Sequence, residues 1–239
     1  MPRFYCPQSL ILDSLYELPS DVAHHVRVRR LASGTSITLF NGTSGEYEAT
    51  LTTISKSAAS VKITQFIPRE SELAYRVTLA QALPEAAKMD WIIEKAVELG
   101  VADITPLATQ RCVVKLSGER ADKKREHWQR VAIAASEQCG RNRLAEIAPI
   151  SMLDTWLNQN PGITRLMLTP RTEISLATWA HQQRPQAVQL LIGPEGGLNE
   201  EEERLATTRG VLAVSLGPRI LRTETAGLAA LATLNAYWE

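Results

Sequence analysis

Two stretches of this 239-residue chain put charged side chains into glycine-proline turns. The first is Leu190-Leu191-Ile192-Gly193-Pro194-Glu195-Gly196-Gly197. The second is Leu216-Gly217-Pro218-Arg219-Ile220-Leu221-Arg222-Thr223-Glu224-Thr225-Ala226. Each begins as an apolar run and leads into a helix-like segment, and α/β enzymes keep their ligand pockets at such strand ends. Glycine-rich loops of this kind usually hold phosphate at a helix N-terminus. The first loop fits that poorly. It is neither Gly-x-Gly-x-x-Gly nor a Walker loop, and it places Glu195 where an anion would sit, with Glu200, Glu201, Glu202 and Glu203 close behind. A carboxylate next to a phosphate is repulsive in any dielectric. A phosphate-free ligand with a hydroxyl-bearing sugar and a positive centre suits the loop better, and S-adenosylmethionine has those properties. The alternative is a tight turn with a helix-capping acid.

The second loop adds Arg219 and Arg222, fixed cations able to hold a carboxylate or a nucleic-acid phosphate. Thr223 or Thr225 is expected to cap the last helix, with Glu224 in its first turn, where an acid complements the helix dipole. A structural role for Glu224 and a surface ion pair for Arg222 are the plain alternatives. Among the histidines, His24 and His25 are adjacent and lack metal-ligand spacing, while His127 and His181 stand alone. No metal is expected. Cys6, Cys112 and Cys139 are odd in number and contain no Cys-x-x-Cys pair, which argues for a reducing cytoplasm. No apolar run approaches the roughly 18 residues of a membrane helix.

Formal net charge is zero, which excludes indiscriminate coating of nucleic acid. Residues 111–143 nevertheless carry nine Lys and Arg against four Asp and Glu, a block that fits either a phosphate-contacting surface or a solvated helix face.

Two regimes of periodicity position these groups. Up to about residue 70, short alternating runs at 36–40, 46–51 and 60–63, punctuated by Asn41-Gly42 and Ser44-Gly45, predict a small β-barrel, with a helix at 21–31. The polar run 68–72 marks a boundary between a domain at 1–70 and another at 73–239. Beyond it, strands at 77–83, 104–108, 165–169, 189–192 and 211–216 alternate with helices at 88–99, 122–139, 175–183, 200–209 and 225–238. Gly100 stops the first of these helices, and Asn199 with Glu202 forms a capping box for the fourth. The pattern is a mainly parallel sheet with helices on both faces.

The chain resembles the bacterial 16S ribosomal RNA uracil-N3 methyltransferases of the SPOUT superfamily. The likeness rests on both glycine loops at their spacing, and on Pro2-Arg3-Phe4-Tyr5, His25 with its arginines, Leu39-Phe40-Asn41-Gly42, 94–101, 104–107, Arg111-Cys112 and 137–141. It implies a PUA-like N-terminal domain that helps bind RNA, a trefoil-knotted C-terminal methyltransferase domain, and a homodimer. It implies a cofactor pocket for S-adenosylmethionine built from Leu168, Thr169, Pro170, Gly193, Glu195, Gly196, Gly197, Leu216, Gly217, Ile220 and Leu221. RNA contacts fall to His25, Arg27, Arg29, Arg30, Lys123, Lys124, Arg141 and Arg143, with 16S rRNA of the small subunit as the partner. Two departures stand out: Glu94 where many relatives carry glutamine, and Glu85-Ala86-Ala87-Lys88 where they often have a glycine-lysine turn.

Uracil N3 bears a proton and becomes a nucleophile only as that proton leaves. The chemistry therefore needs a proton acceptor, or a cation to stabilise the developing anion. Arg222 is the candidate for the anion and Glu224 for the base. Alternatives are methylation of another RNA atom such as a ribose 2′-OH, a non-catalytic RNA-binding protein, and a nucleotide-dependent enzyme, which the acidic loop disfavours.

Overall fold

A computed structural model describes residues 1–85, 87–159 and 162–239; Ala86, within one of the two departures, lies outside them. Contacts divide the chain into two compact units. Residues 1–72 group with 136–144, and 73–135 group with 145–239. The continuous second domain expected from the sequence is thus interrupted by a nine-residue excursion.

The first unit holds β1 (Arg3–Tyr5), β2 (Leu15–Glu17), α1 (Ser20–Val28), β3 (Ser36–Phe40), β4 (Glu46–Ile54) and β5 (Ala59–Ile67). Their order in the sheet is β1-β3-β4-β5-β2. The first pair is parallel and the others are antiparallel. Among the described residues no ladder joins β1 to β2, so the hydrogen-bond path of the expected barrel stays open. Alternation sends Ile37, Leu39, Leu51, Val61 and Ile63 into one core, which α1 covers with Val22, Ala23 and Val26 at helical spacing. That spacing leaves His24 and His25 exposed.

The excursion is bound into this unit by charge. Glu46 takes salt bridges from Arg3 and Arg69. The hydrogen bond from Arg69 holds its carboxyl below the ordinary value, against the opposing effect of burial. Arg141 is buried and binds Glu72 through Nε and Nη2, the latter at 2.5 Å. Asn142 Oδ1 accepts from Arg3 at 2.8 Å.

The second unit runs β6 (Val77–Ala82), α2 (Lys88–Glu98), β7 (Asp103–Ala108), α3 (Gly118–Cys139), β8 (Glu146–Ile147), β9 (Ser151–Met152) and α4 (Leu153–Leu157). It continues with β10 (Thr164–Leu168), α5 (Leu176–Gln182), β11 (Val188–Ile192), α6 (Glu200–Thr208), β12 (Leu212–Val214) and α7 (Thr223–Trp238). The last turn of α3 belongs to the first unit. Sheet order is β12-β10-β11-β6-β7-β8, with β9 also on β7, and every ladder is parallel.

Period-two alternation divides the strands between two faces. Ala80, Met167 and Leu191 pack with Trp156 and Leu157 of α4 and Ala206 of α6. The opposite face carries α7, which packs on β6, β11, α2 and α5. Helices thus cover both faces, as the alternating pattern requires. The capping box forms as expected, with Asn199 and Glu202 each bonding the other's backbone N–H. Gly100 ends α2 at φ +86°, the left-handed geometry that favours glycine. The short β8, β9 and α4 carry too few residues to show a period.

Gly227 decides how closely α7 approaches the sheet. A Cβ there would lie 3.1 Å from Leu79 Cδ1 and 3.5 Å from Ile192 Cγ1. Gly227→Val is expected to destabilise the protein by about 2 kcal/mol through overpacking, measured as a lower urea midpoint at unchanged slope.

Candidate active site

Three loops converge at the carboxyl ends of β10, β11 and β12. They enclose a cavity of about 560 Å³ lined by Leu168 to Arg171, Ile192 to Leu198, and Ile220 to Glu224, together with Ala226, Glu203 and Lys88. A smaller recess of about 80 Å³ adjoins it, lined by Leu216, Gly217 and Arg219 besides residues of the first. The geometry therefore brings together every candidate cofactor residue. Leu168, Thr169, Pro170, Gly193, Glu195, Gly196, Gly197, Ile220 and Leu221 line the larger cavity, and Leu216 and Gly217 line the recess. Arg222 and Glu224 also line the larger cavity.

Why the loops converge follows from the sheet order. β12 lies outside β10, yet α7 packs on β11 and β6. The chain after β12 must therefore cross back over the end of β10 to start α7. Arg222 takes the N-cap position, with φ −64° and ψ 152°, and makes no side-chain cap bond. Neither Thr223 nor Thr225 caps the helix. The Thr223 hydroxyl instead donates to Gly193 O at 2.6 Å and accepts from Nε2 of the fully buried Gln81 at 2.9 Å.

Among the described residues, two close ion pairs line the cavity, Lys88 with Glu195 and Arg171 with Glu203. Glu195 accepts from Lys88 Nζ at 2.7 Å and from the backbone N–H of Glu85 at 3.1 Å. Burial opposes its ionisation, but the Lys88 and backbone hydrogen bonds outweigh it and hold the carboxyl below its ordinary value. Lys88 is shifted up, first of all by its hydrogen bond to Glu195. The negative charge that argues against a phosphate in the loop is thus met by the lysine that opens α2. Arg171 pairs with Glu203 at 2.5 Å. Glu224 has a buried Oε2 with no hydrogen-bond partner, 3.8 Å from Lys88 Nζ. Arg111, outside the cavity lining, donates to Gly196 O at 2.8 Å and braces the glycine loop from behind.

Lys88, Gln81, Thr223 and Arg171 complete the site and are absent from the candidates taken from the sequence. A lysine opening a helix, at its positive end, is the one local signal that could have singled out Lys88.

The candidate RNA residues lie elsewhere. His25, Arg27, Arg29 and Arg30 are on or just after α1, and Arg141 and Arg143 are in the 136–144 excursion, all in the first unit. Lys123 and Lys124 are exposed on α3 in the second. His25, Arg29, Arg30 and Arg143 are exposed. Arg27 bonds the carbonyls of Ala23 and Lys56. Arg141 is 3% exposed and engaged by Glu72, so its guanidinium serves the folding of its own unit. Among the described residues no group of three or more His, Cys, Asp or Glu is placed to hold a metal, and no helix is long and apolar enough to cross a membrane.

A parallel α/β sheet with its pocket at the carboxyl ends of the strands is the architecture of a ligand-binding α/β enzyme domain. Residues 71–235 match the RNA methyltransferase domain, and 18–64 match the RNA methyltransferase PUA domain. The chain belongs to the ribosomal RNA small subunit methyltransferase E family. It is 34% identical to that protein of Bacillus subtilis over 92% of this chain and 88% of the other. It is 30% identical to that of Buchnera aphidicola from Schizaphis graminum, over 98% and 96%. A structure of the family protein from Neisseria gonorrhoeae, bound to S-adenosyl methionine, superposes with TM-score 0.93 at 37% identity over 100% and 98%. A methyltransferase structure from Legionella pneumophila with bound SAM gives TM-score 0.93 at 38% identity over 98% and 97%.

Thr223→Val removes the hydroxyl that joins Gly193 to Gln81 and leaves a buried amide donor and a carbonyl short of a partner. A loss of about 1–3 kcal/mol of stability is expected, read by chemical denaturation. Any ligand held by the glycine loop should also bind more weakly by calorimetry.

Proposed function

We propose that this protein transfers a methyl group from S-adenosylmethionine to N3 of a uridine in 16S rRNA of the small ribosomal subunit. The observation that carries this reading is the Glu224 carboxylate, which lines the cavity and whose buried Oε2 receives no hydrogen bond. An acceptor in that state suits a ligand bearing an N–H. The cavity's size is within the range of about 300–1,000 Å³ typical of small-molecule sites. Its walls at Leu168, Pro170, Ile220 and Leu221 fit an adenosyl moiety, and the Gly193–Gly197 loop offers backbone groups to its sugar. When bound, S-adenosylmethionine supplies a methyl group on a sulfonium centre.

The chain's own residues supply the rest. Glu224 accepts the N3 proton, and Arg222 stabilises the negative charge that develops on the uracil ring. The loops hold the base and the donor close together. Because N3 lies on the Watson–Crick edge, the target uridine must be unpaired. The exposed His25, Arg29, Arg30 and Arg143 of the PUA-like unit, with Lys123 and Lys124 of α3, are suited to rRNA phosphates. On this reading residues 1–70 form the RNA-binding domain, helped by 136–144, and the remainder of 73–239 is the methyltransferase domain.

Two further features belong to the same proposal. The knot draws support from the return of 216–222 over the end of β10 on the way from β12 to α7. The homodimer draws support from α7, which has no charged residue between Glu224 and Glu239 and leaves Leu228, Ala229, Ala232, Ala236 and Tyr237 wholly or partly uncovered. The cytoplasm, where rRNA is made, is the expected compartment.

Nucleoside mass spectrometry of 16S rRNA from cells with and without the protein tests the activity. Loss of 3-methyluridine is expected. Unchanged 3-methyluridine would sink the proposal, and loss of a 2′-O-methyl nucleoside would favour ribose methylation instead. Arg222→Ala is expected to lower turnover about 100-fold while leaving cofactor affinity nearly unchanged. Equal activity in that variant would remove Arg222 from the anion-stabilising role.

A further inference from the structure

We propose that Lys88 is a positioning residue of this site, bridging Glu195 and Glu224 so that the Glu224 carboxylate has a nearby cation yet stays free to accept a proton. The proposal rests on the reading of Glu224 as the proton acceptor. Three observations carry it.

The first is distance. Lys88 Nζ is hydrogen-bonded to Glu195 Oε1 at 2.7 Å but stands 3.8 Å from Glu224 Oε2. The longer separation lies within reach of electrostatic attraction and beyond hydrogen-bonding range. The same Glu224 oxygen is the one without a donor. Its charge is therefore partly offset while the lone pairs of Oε2 remain unused. A direct hydrogen bond from the lysine would occupy the site where the incoming proton must go.

The second is the anchor. Glu195 also accepts the backbone N–H of Glu85, just ahead of α2. Glu195 therefore ties the glycine loop to the start of α2 and keeps the lysine from closing on Glu224. Its carboxylate is committed to the protein rather than to a ligand.

The third is placement. Lys88 is the first residue of α2, after an Ala87 N-cap that makes no side-chain cap bond. A cation at the positive end of a helix dipole is unfavourable, and the two carboxylates compensate for it here. Of the other cations lining the cavity, Arg171 is bound to Glu203. Lys88 alone among the described residues forms an ion pair with Glu224.

The test uses full-length Lys88→Met, Lys88→Arg, Glu195→Gln, the Lys88→Met/Glu195→Gln double variant and Glu224→Gln. Readouts are steady-state kinetics on 16S rRNA, calorimetric titration with S-adenosylmethionine, and thermal melting. Lys88→Met is expected to lower kcat about 30-fold while KM for RNA and the donor Kd stay within about threefold. Lys88→Arg should recover to within about threefold of the wild type. Glu195→Gln should lose about tenfold, and the double variant should be no slower than Lys88→Met, because Glu195 acts through Lys88.

A wild-type rate in Lys88→Met overturns the proposal, as does a loss matched by weaker donor binding or a collapsed melting temperature. So does Lys88→Arg as slow as Lys88→Met, or multiplicative losses in the double variant. Glu224→Gln separates the two levels. Full activity there removes Glu224 as the proton acceptor whatever Lys88 does, whereas an inactive Glu224→Gln beside a normal Lys88→Met removes Lys88 alone.

Discussion

One hydroxyl joins the three elements on which the cavity depends. Thr223 has a single proton to give, and it goes to Gly193 O. That fixes the rotor and leaves a lone pair facing the amide of Gln81. Gln81 is on β6, Gly193 follows β11, and Thr223 opens α7, so the bond pair couples two neighbouring strands to the helix that covers them. The same amide also donates to Ala82 O. Breaking either Thr223 bond would strand a buried donor or acceptor at a cost of about 1–3 kcal/mol, so the start of α7 has little freedom to slide. Two of the charged groups in the cavity are placed from that point. Arg222 precedes Thr223 and Glu224 follows it, and both inherit their positions from a hydroxyl bonded to the protein's own backbone and Gln81.

The elements legible in the sequence are those whose period is long enough to repeat. Strands β3 to β7 and β10 to β12 and helices α1, α2, α3, α5, α6 and α7 announce themselves by alternation or by an apolar stripe, and Gly100 and the Asn199–Glu202 box mark ends by local stereochemistry. The loops with Glu195 and Arg222 are visible because charge in a glycine-proline turn is unusual. What escapes is set by contacts between distant residues. Lys88 reaches Glu195 across 107 positions and Gln81 reaches Thr223 across 142, and neither pairing leaves a trace in local pattern. The three-residue β1 and β2 are too short for any period. The transfer of 136–144 to the first unit depends on Glu46, Glu72 and their arginines.

Those arginines show why a basic cluster is a poor measure of a binding surface. Arg3, Arg69 and Arg141 are consumed by Glu46 and Glu72, and Arg27 by backbone carbonyls. A guanidinium with five donors in a fixed fork is suited to such interior bracing. Glu137, in the same unit, receives the Tyr5 N–H at 2.9 Å. Burial pushes its carboxyl up, while His25 and Arg29 act in the opposite sense. The cations left facing solvent are fewer than the count of basic residues implies, and His25, Arg29 and Arg30 at the end of α1 are among them.

The last helix carries two obligations that compete for its surface. Thr223, Gly227, Ala230, Leu231, Leu234 and Trp238 are buried against the sheet and its neighbouring helices, and Trp238 donates to Ala180 O at 3.0 Å. The remaining face is made of small and apolar residues without a charge to hydrate it. A helix left so in water would expose apolar surface along its length, which single-chain proteins seldom do over a contiguous patch. On the homodimer reading, a second copy covers that face, and the helix that begins with Arg222 and Glu224 is then clamped from both sides. The positions of the reacting groups would depend on dimerisation as well as on the Thr223 hydroxyl, which links assembly to catalysis through one rigid element.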